Sequence, residues 1–140
     1  VAPDTDKYTA KTATEREQGY FIRVRAGHKI SAPLQACIFI GHEDQLQRVH
    51  NVVIIEEGAE LNIISGCASD PSVENGVHIG ISEFFVEKGA KLSFTMIHNW
   101  GENVAVRPRT VAIVGEDAQY TSNYVCLERV KDVQMYPTTR

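Results

Sequence analysis

The chain has 140 residues, a length suited to a single domain. Hydrophobic residues make up 43% and charged residues 23%, which excludes disorder as its overall state. The net charge of −4 excludes a general nucleic-acid binder, and apolar runs such as Val52–Ile55, or the longer Ala36–Ile40, are too short for a membrane-spanning helix.

Residues 1–20 form a polar lead-in without the apolar stretch of a secretory signal. A partly helical segment is expected around Ala10–Gln18. From residue 21 onward, Val, Ile, Phe and Thr alternate with polar residues and Gly-bearing turns punctuate them, which is strand patterning. No helix is expected after Tyr20. The closing YPTTR reads as a polar tail without a strand. With Val1 at its start and no closing element, the chain is expected to be part of a longer one, with residues 21–140 as its core.

Four segments align within that core: VRAGHKI (24–30), IEEGAEL (55–61), VEKGAKL (86–92) and VGEDAQY (114–120). Their turn residues, Gly27, Gly58, Gly89 and Asp117, are spaced 31, 31 and 28 residues apart. Gly and Asp both tolerate the left-handed backbone of a tight turn. Three residues after the turn come Ile30, Leu61, Leu92 and Tyr120, and five after it Ala32, Ile63, Phe94 and Ser122. Mostly apolar columns two residues apart are what the inner face of a strand requires. The repeat predicts an all-β fold, a parallel β-helix of about four rungs with a period of 28–31 residues. Each rung carries a strand before the turn, one after it and a short third segment, with loops near 41–48, 68–77 and 101–105. Short strands also serve an antiparallel sandwich or a cupin-like barrel, but the repeated columns favour the solenoid.

Nine residues past the turn the same column holds Ala36, Cys67, His98 and Cys126. The odd offset points it inward, so Cys67 and His98 become neighbours about 5 Å apart, with Cys126 one rung further on. Thiolate and imidazole are soft ligands for zinc, iron or copper(I), and an imidazolium also activates a thiol. The plainer reading is a buried thiol and a satisfied histidine. Cys37 misses the column by one residue. Three cysteines without a CxxC pair give neither a disulfide framework nor a local zinc motif, and fit free thiols in a reducing cytosol.

His42 and His50 are expected in a surface loop, His28 in an exposed turn, and His78 at a strand start without an evident partner. Trp100 reads as a plug in the solenoid wall, and Arg107 and Arg109 as a solvated strand face. The outward columns Phe21, Val52, Glu83, Val111 and Arg23, Ile54, Phe85, Ile113 are largely apolar, so a cover is expected over the outer face.

The segments VVIIEEGAELNIISGCAS and ISEFFVEKGAKLSFTMIHNW, followed by VAIVGEDAQYTSNYV, resemble the core of the SufB/SufD family, scaffold subunits of the SUF iron–sulphur cluster assembly system. The resemblance covers residues 20–140. It implies a right-handed parallel β-helix and a non-enzymatic role, with an iron–sulphur cluster as transient cargo and no nucleotide bound by this chain. It implies a SufC-type ABC ATPase partner that hydrolyses ATP, a paired SufB/SufD-like subunit, and a cysteine desulphurase as persulphide donor. Cys67 matches the family's sulphur-transfer Cys, and Trp100 its Trp. The chain departs from the pattern in three places. His98 stands where SufB has Gln, Phe39 and Gly41 stand where it has an Arg-x-Asn, and a family Lys falls near Pro108. The family's later cluster-binding and SufC-contact residues have no counterpart here.

The expected function is therefore a cytoplasmic SufB/SufD-like scaffold. Cys67 receives or relays sulphur, His98 tunes it and Cys126 is a second station. Unpaired strand edges at the solenoid ends call for a cap or partner, and a homodimer is expected. Two other classes remain open: a carbohydrate-binding or carbohydrate-active β-helix using Glu83, Arg107 and Arg109, and a structural interaction domain whose thiols only fill the core.

Overall fold

The computed structural model describes residues 1–15 and 18–140. Its geometry is set by the turns. Gly27, Gly58, Gly89 and Asp117 all take left-handed backbone angles, with φ of 72°, 65°, 64° and 55°. Each is the third residue of a four-residue turn closed by a backbone bond, such as Ala59 N to Glu56 O at 2.9 Å and Ala90 N to Glu87 O at 3.0 Å. Gly27 N also donates to Glu57 O, Gly58 N to Lys88 O and Gly89 N to Glu116 O, so the ladder runs through the stacked turns.

Each turn joins one strand to the next. They are β1 (Phe21–Val24), β2 (Leu34–Ile40), β3 (Gln45–Ile55), β4 (Glu60–Ser69), β5 (Gly76–Val86), β6 (Lys91–Asn99), β7 (Val104–Val114) and β8 (Gln119–Cys126). Two short strands, β9 (Asp132–Val133) and β10 (Tyr136–Thr139), follow. Every pairing is parallel. One sheet runs β1-β3-β5-β7-β10, with β9 also on β7, and the other runs β2-β4-β6-β8. The fold is an all-β parallel solenoid of four stacked coils.

Several expectations need correction. Each coil holds two strands, and no third strand occurs among the described residues. The loops are tighter than expected, because β3 starts at Gln45 and β5 at Gly76. The tail ends on a strand, since Tyr136–Thr139 pairs with Arg109–Ala112. The first rung is out of step by two residues. Lys29 bridges Glu60, yet Leu34 pairs with Ile63. Pro33 lies between and has no amide for the ladder, so the chain leaves it and rejoins later. Ile38, not Ala36, therefore stands beside Cys67.

The lumen is apolar at both ends. Beneath the turns, Val53, Ile55, Leu61, Ile63, Phe84, Val86, Leu92 and Phe94 form one core cluster, extended by Tyr120. Phe84 packs on Phe94 and Tyr120 with ring centroids 4.7 and 5.4 Å away. At the opposite edge, Ile38, Ile40, Val49, Cys67, Val73, Trp100, Val104 and Val106 form a second cluster.

The lead-in forms one helix, α1 (Lys7–Glu15), which starts earlier than expected. Asp6 caps it: its carboxylate accepts from the amides of Tyr8 and Thr9, both at 2.9 Å. Thr9 Oγ1 accepts the Asp6 amide in return at 3.0 Å, a reciprocal cap with Thr in the Glu position. The end of the expected helix, residues 16–17, lies outside the described residues. No helix among the described residues is long and apolar enough to cross a membrane.

Candidate functional site

Between the two apolar clusters polar side chains enter the lumen. Asn51, Ser82 and Thr110 form one inward column on β3, β5 and β7. Ser65, Met96 and Tyr124 form another on β4, β6 and β8. Val49, Gly80 and Pro108 share a third, and Gly80 carries no side chain into the space. The result is a cavity of about 250 Å³ whose wall includes Cys67, His78, Met96, His98 and Tyr124.

Cys67, His98 and Cys126 stand in cross-strand register on β4, β6 and β8. Their environments differ sharply. Cys67 is buried and its thiol donates to Met96 Sδ at 3.6 Å. Burial pushes its pKa up to about 12, helped by the nearby Cys37. His98 is 1% exposed. Its Nδ1 lies 2.7 Å from Tyr124 Oη, while Nε2 is buried with no hydrogen-bond partner. Burial lowers its pKa to about 4. At neutral pH both groups are uncharged, so His98 is no imidazolium activating Cys67. Cys126 ends β8, the edge strand of its sheet, is exposed, and donates to Glu128 O at 3.2 Å. Cys37 pairs with Gly66 and is also exposed.

Trp100 is 1% exposed and sits beside two histidines. Its ring centroid is 4.9 Å from that of His78 and 5.6 Å from that of His98. His78 is no unpartnered strand start. Its Nδ1 meets Gln47 Oε1 at 2.8 Å, and Gln47 Nε2 donates in turn to Phe39 O at 3.0 Å. Burial, with a smaller effect of His98, lowers the His78 pKa to about 3. Gln47 is the cross-strand neighbour of His78, one repeat earlier on the same sheet, while Trp100 follows β6 of the other sheet. Among the described residues, no group of three or more His, Cys, Asp or Glu is placed to hold a metal.

The outer face of β7 also differs from expectation. Arg107 and Arg109 are buried, not solvated. Arg107 Nη2 donates to both carboxylate oxygens of Asp132, at 3.0 and 2.7 Å, and its Nε donates to Tyr8 Oη at 3.1 Å. Arg109 donates to Asp6 and to Gln134 O, with Tyr8 and Tyr136 rings 5.2 and 4.6 Å from its guanidinium. The N-terminal segment and β9–β10 thus cover this part of the face. His50 lies on β3, not in a loop, and meets Glu83 at 3.0 Å. The apolar stripe beside them stays partly open, with Phe21 65% and Ile113 40% exposed.

Residues 38–138 match the family described as SUF system FeS cluster assembly, SufBD core domain. The chain is 54% identical, over 99% of its length, to an iron–sulphur cluster assembly SufBD family protein of Methanothermobacter thermautotrophicus, strain Winter. It is 56% identical, over 96% of its length, to one of Archaeoglobus fulgidus, and 35% identical, over 79%, to the iron–sulphur cluster assembly protein SufB of Bacillus subtilis. These matches cover 35%, 36% and 24% of the respective relatives, so the chain spans about a third of the length of the archaeal proteins. These matches place the chain in the SufBD family of iron–sulphur cluster assembly proteins.

Proposed function

We propose that the chain is the β-solenoid core, over residues 21–140, of a SufB/SufD-like scaffold subunit, in which Cys67 receives sulphur for cluster building. The observation that carries this is the placement of Cys67. Its buried thiol, one strand from His98, faces a cavity in the lumen whose largely apolar wall also carries His78, His98, Asn51 and Ser82. In the transfer, the sulphane sulphur of a donor persulphide moves to Cys67. The donor S–S bond breaks, a new one forms at Cys67, and the thiol proton leaves with the departing donor thiol. Neutral His98 lines the same cavity one strand away and shapes the space in which the transfer occurs. Cys126, exposed one strand beyond, is the second station.

On this reading the protein is a non-enzymatic scaffold of the cytoplasm, and the iron–sulphur cluster is its transient cargo. Its partners are a SufC-type ABC ATPase that hydrolyses ATP, a paired SufB/SufD-like subunit or second copy, and a cysteine desulphurase. A carbohydrate site on the outer face is disfavoured, because Glu83 is hydrogen-bonded to His50 and Arg107 and Arg109 are engaged in ion pairs. The test is Cys67→Ser in the complete gene product, reconstituted with iron, cysteine and a desulphurase. Cluster yield should collapse in the variant. Unchanged yield would assign the thiol to core filling.

A further inference from the structure

We infer that Cys67, Met96 and His98 form a binding site for a soft monovalent metal ion, copper(I), in the solenoid lumen. Three observations converge on it. Cys67 Sγ and Met96 Sδ are 3.6 Å apart on adjacent strands. His98, also on β6, is the cross-strand partner of Cys67. Its Nε2 is buried without a partner, in a residue only 1% exposed. All three residues line the same cavity.

The second nitrogen explains how His98 would be held. When Nδ1 carries the proton and donates it to Tyr124 Oη, Nε2 keeps its lone pair. A ligating imidazole is commonly fixed in this way by a hydrogen bond from its other nitrogen. Tyr124 is then the orienting group, and the bare Nε2 is a vacant donor rather than a packing flaw.

Charge selects the ion. Binding replaces the Cys67 proton: thiol plus copper(I) gives a copper thiolate and one released proton, with no change of oxidation state. One thiolate, one thioether and one neutral imidazole around a monovalent ion carry no net charge, which suits a cavity between two apolar clusters. A divalent ion on the same ligands would leave a buried net positive charge. No third His, Cys, Asp or Glu among the described residues is placed to offset it. Sulphur and imidazole donors are also those that soft copper(I) favours.

The test is anaerobic titration of copper(I) against a chromogenic chelator in the complete gene product, with zinc(II) in a parallel arm. Cys37 and Cys126 are replaced by Ser in all samples, because exposed thiols bind copper(I) on their own account. One tightly held equivalent is expected, with zinc(II) much weaker. Met96→Leu, which nearly conserves volume, should weaken binding by roughly tenfold or more, and Tyr124→Phe by roughly tenfold. A parent protein that accepts sulphur at Cys67 but takes up no copper(I) would overturn this site alone, which separates it from the proposed sulphur transfer. X-ray absorption on the loaded parent should report two sulphurs and one nitrogen, and decides the matter even where a variant fails to fold. No tight uptake, equal zinc(II) affinity, or an absorption spectrum lacking either donor type would overturn the site.

Discussion

A methyl group at position 80 would stand 2.8 Å from His78 Nε2, so Gly80 is the space in which the His78 imidazole fits. The ring cannot easily yield, because Gln47 holds its Nδ1 and Trp100 lies against its face. Gly80→Ala should therefore destabilise the fold by about 1–3 kcal/mol, the usual cost of overpacking. Urea unfolding followed by Trp100 fluorescence would measure this, and should also show an altered native emission.

The two lumen histidines make stability depend on pH. Both pKa values are lowered by burial, to about 3 for His78 and about 4 for His98. A lowered histidine pKa means that the unfolded chain binds the proton first. The stabilisation is full above the unfolded value near 6.5 and is lost as pH falls below it towards the folded values. Each histidine should contribute a slope of about 1.4 kcal/mol per pH unit inside that window. Denaturation midpoints from pH 7 to 5 should fall in the parent and fall less in His78→Asn.

Asp6 does two jobs, as helix cap and as partner of buried Arg109. Although burial opposes it, hydrogen bonds from the Thr9 amide, Arg109 and the Tyr8 amide hold its carboxyl below the ordinary value. Asp6→Ala should cost about 0.5–2 kcal/mol for the cap, and more for leaving Arg109 unpaired. Asp6→Asn should recover part of the cap loss. Chemical denaturation at neutral pH would rank them parent, Asn, Ala.

The thiols should separate by reactivity. Cys67 is buried with its pKa raised to about 12, while Cys37 and Cys126 are exposed. Iodoacetamide at pH 8 should label Cys37 and Cys126 readily in the native protein and Cys67 only slowly, with all three equal after denaturation. Peptide mass spectrometry over time would resolve them.

The solenoid was legible because its signals are local. A left-handed turn residue recurs with apolar residues two apart on either side, and the resulting parallel register carries Cys67, His98 and Cys126 into line. The break at the first rung was illegible in column counting, although Pro33 was its cause. For His78 the repeat did hold a signal, since Gln47 stands one 31-residue repeat earlier and is its cross-strand partner, whereas Trp100 lies beyond β6 of the other sheet and has no such spacing. Arg107 and Arg109 looked solvated because their counter-ions, Asp132 and Asp6, sit in segments that read as tail and lead-in. Asp6 with Thr9 three residues later is the cap signal that places the helix start at Lys7. The state of Cys67 was also hidden, since its spacing to His98 suggested activation, whereas burial keeps both neutral.

The most direct measurement is the sulphur content of Cys67 itself. The complete gene product is incubated with cysteine and a cysteine desulphurase, trapped by alkylation and digested, and the peptide bearing Cys67 is weighed. A gain of one or more sulphur atoms on that peptide, lost in Cys67→Ser, is the expected result. Sulphur found only on the exposed Cys37 and Cys126, with Cys67 unmodified, would contradict a sulphur-accepting lumen.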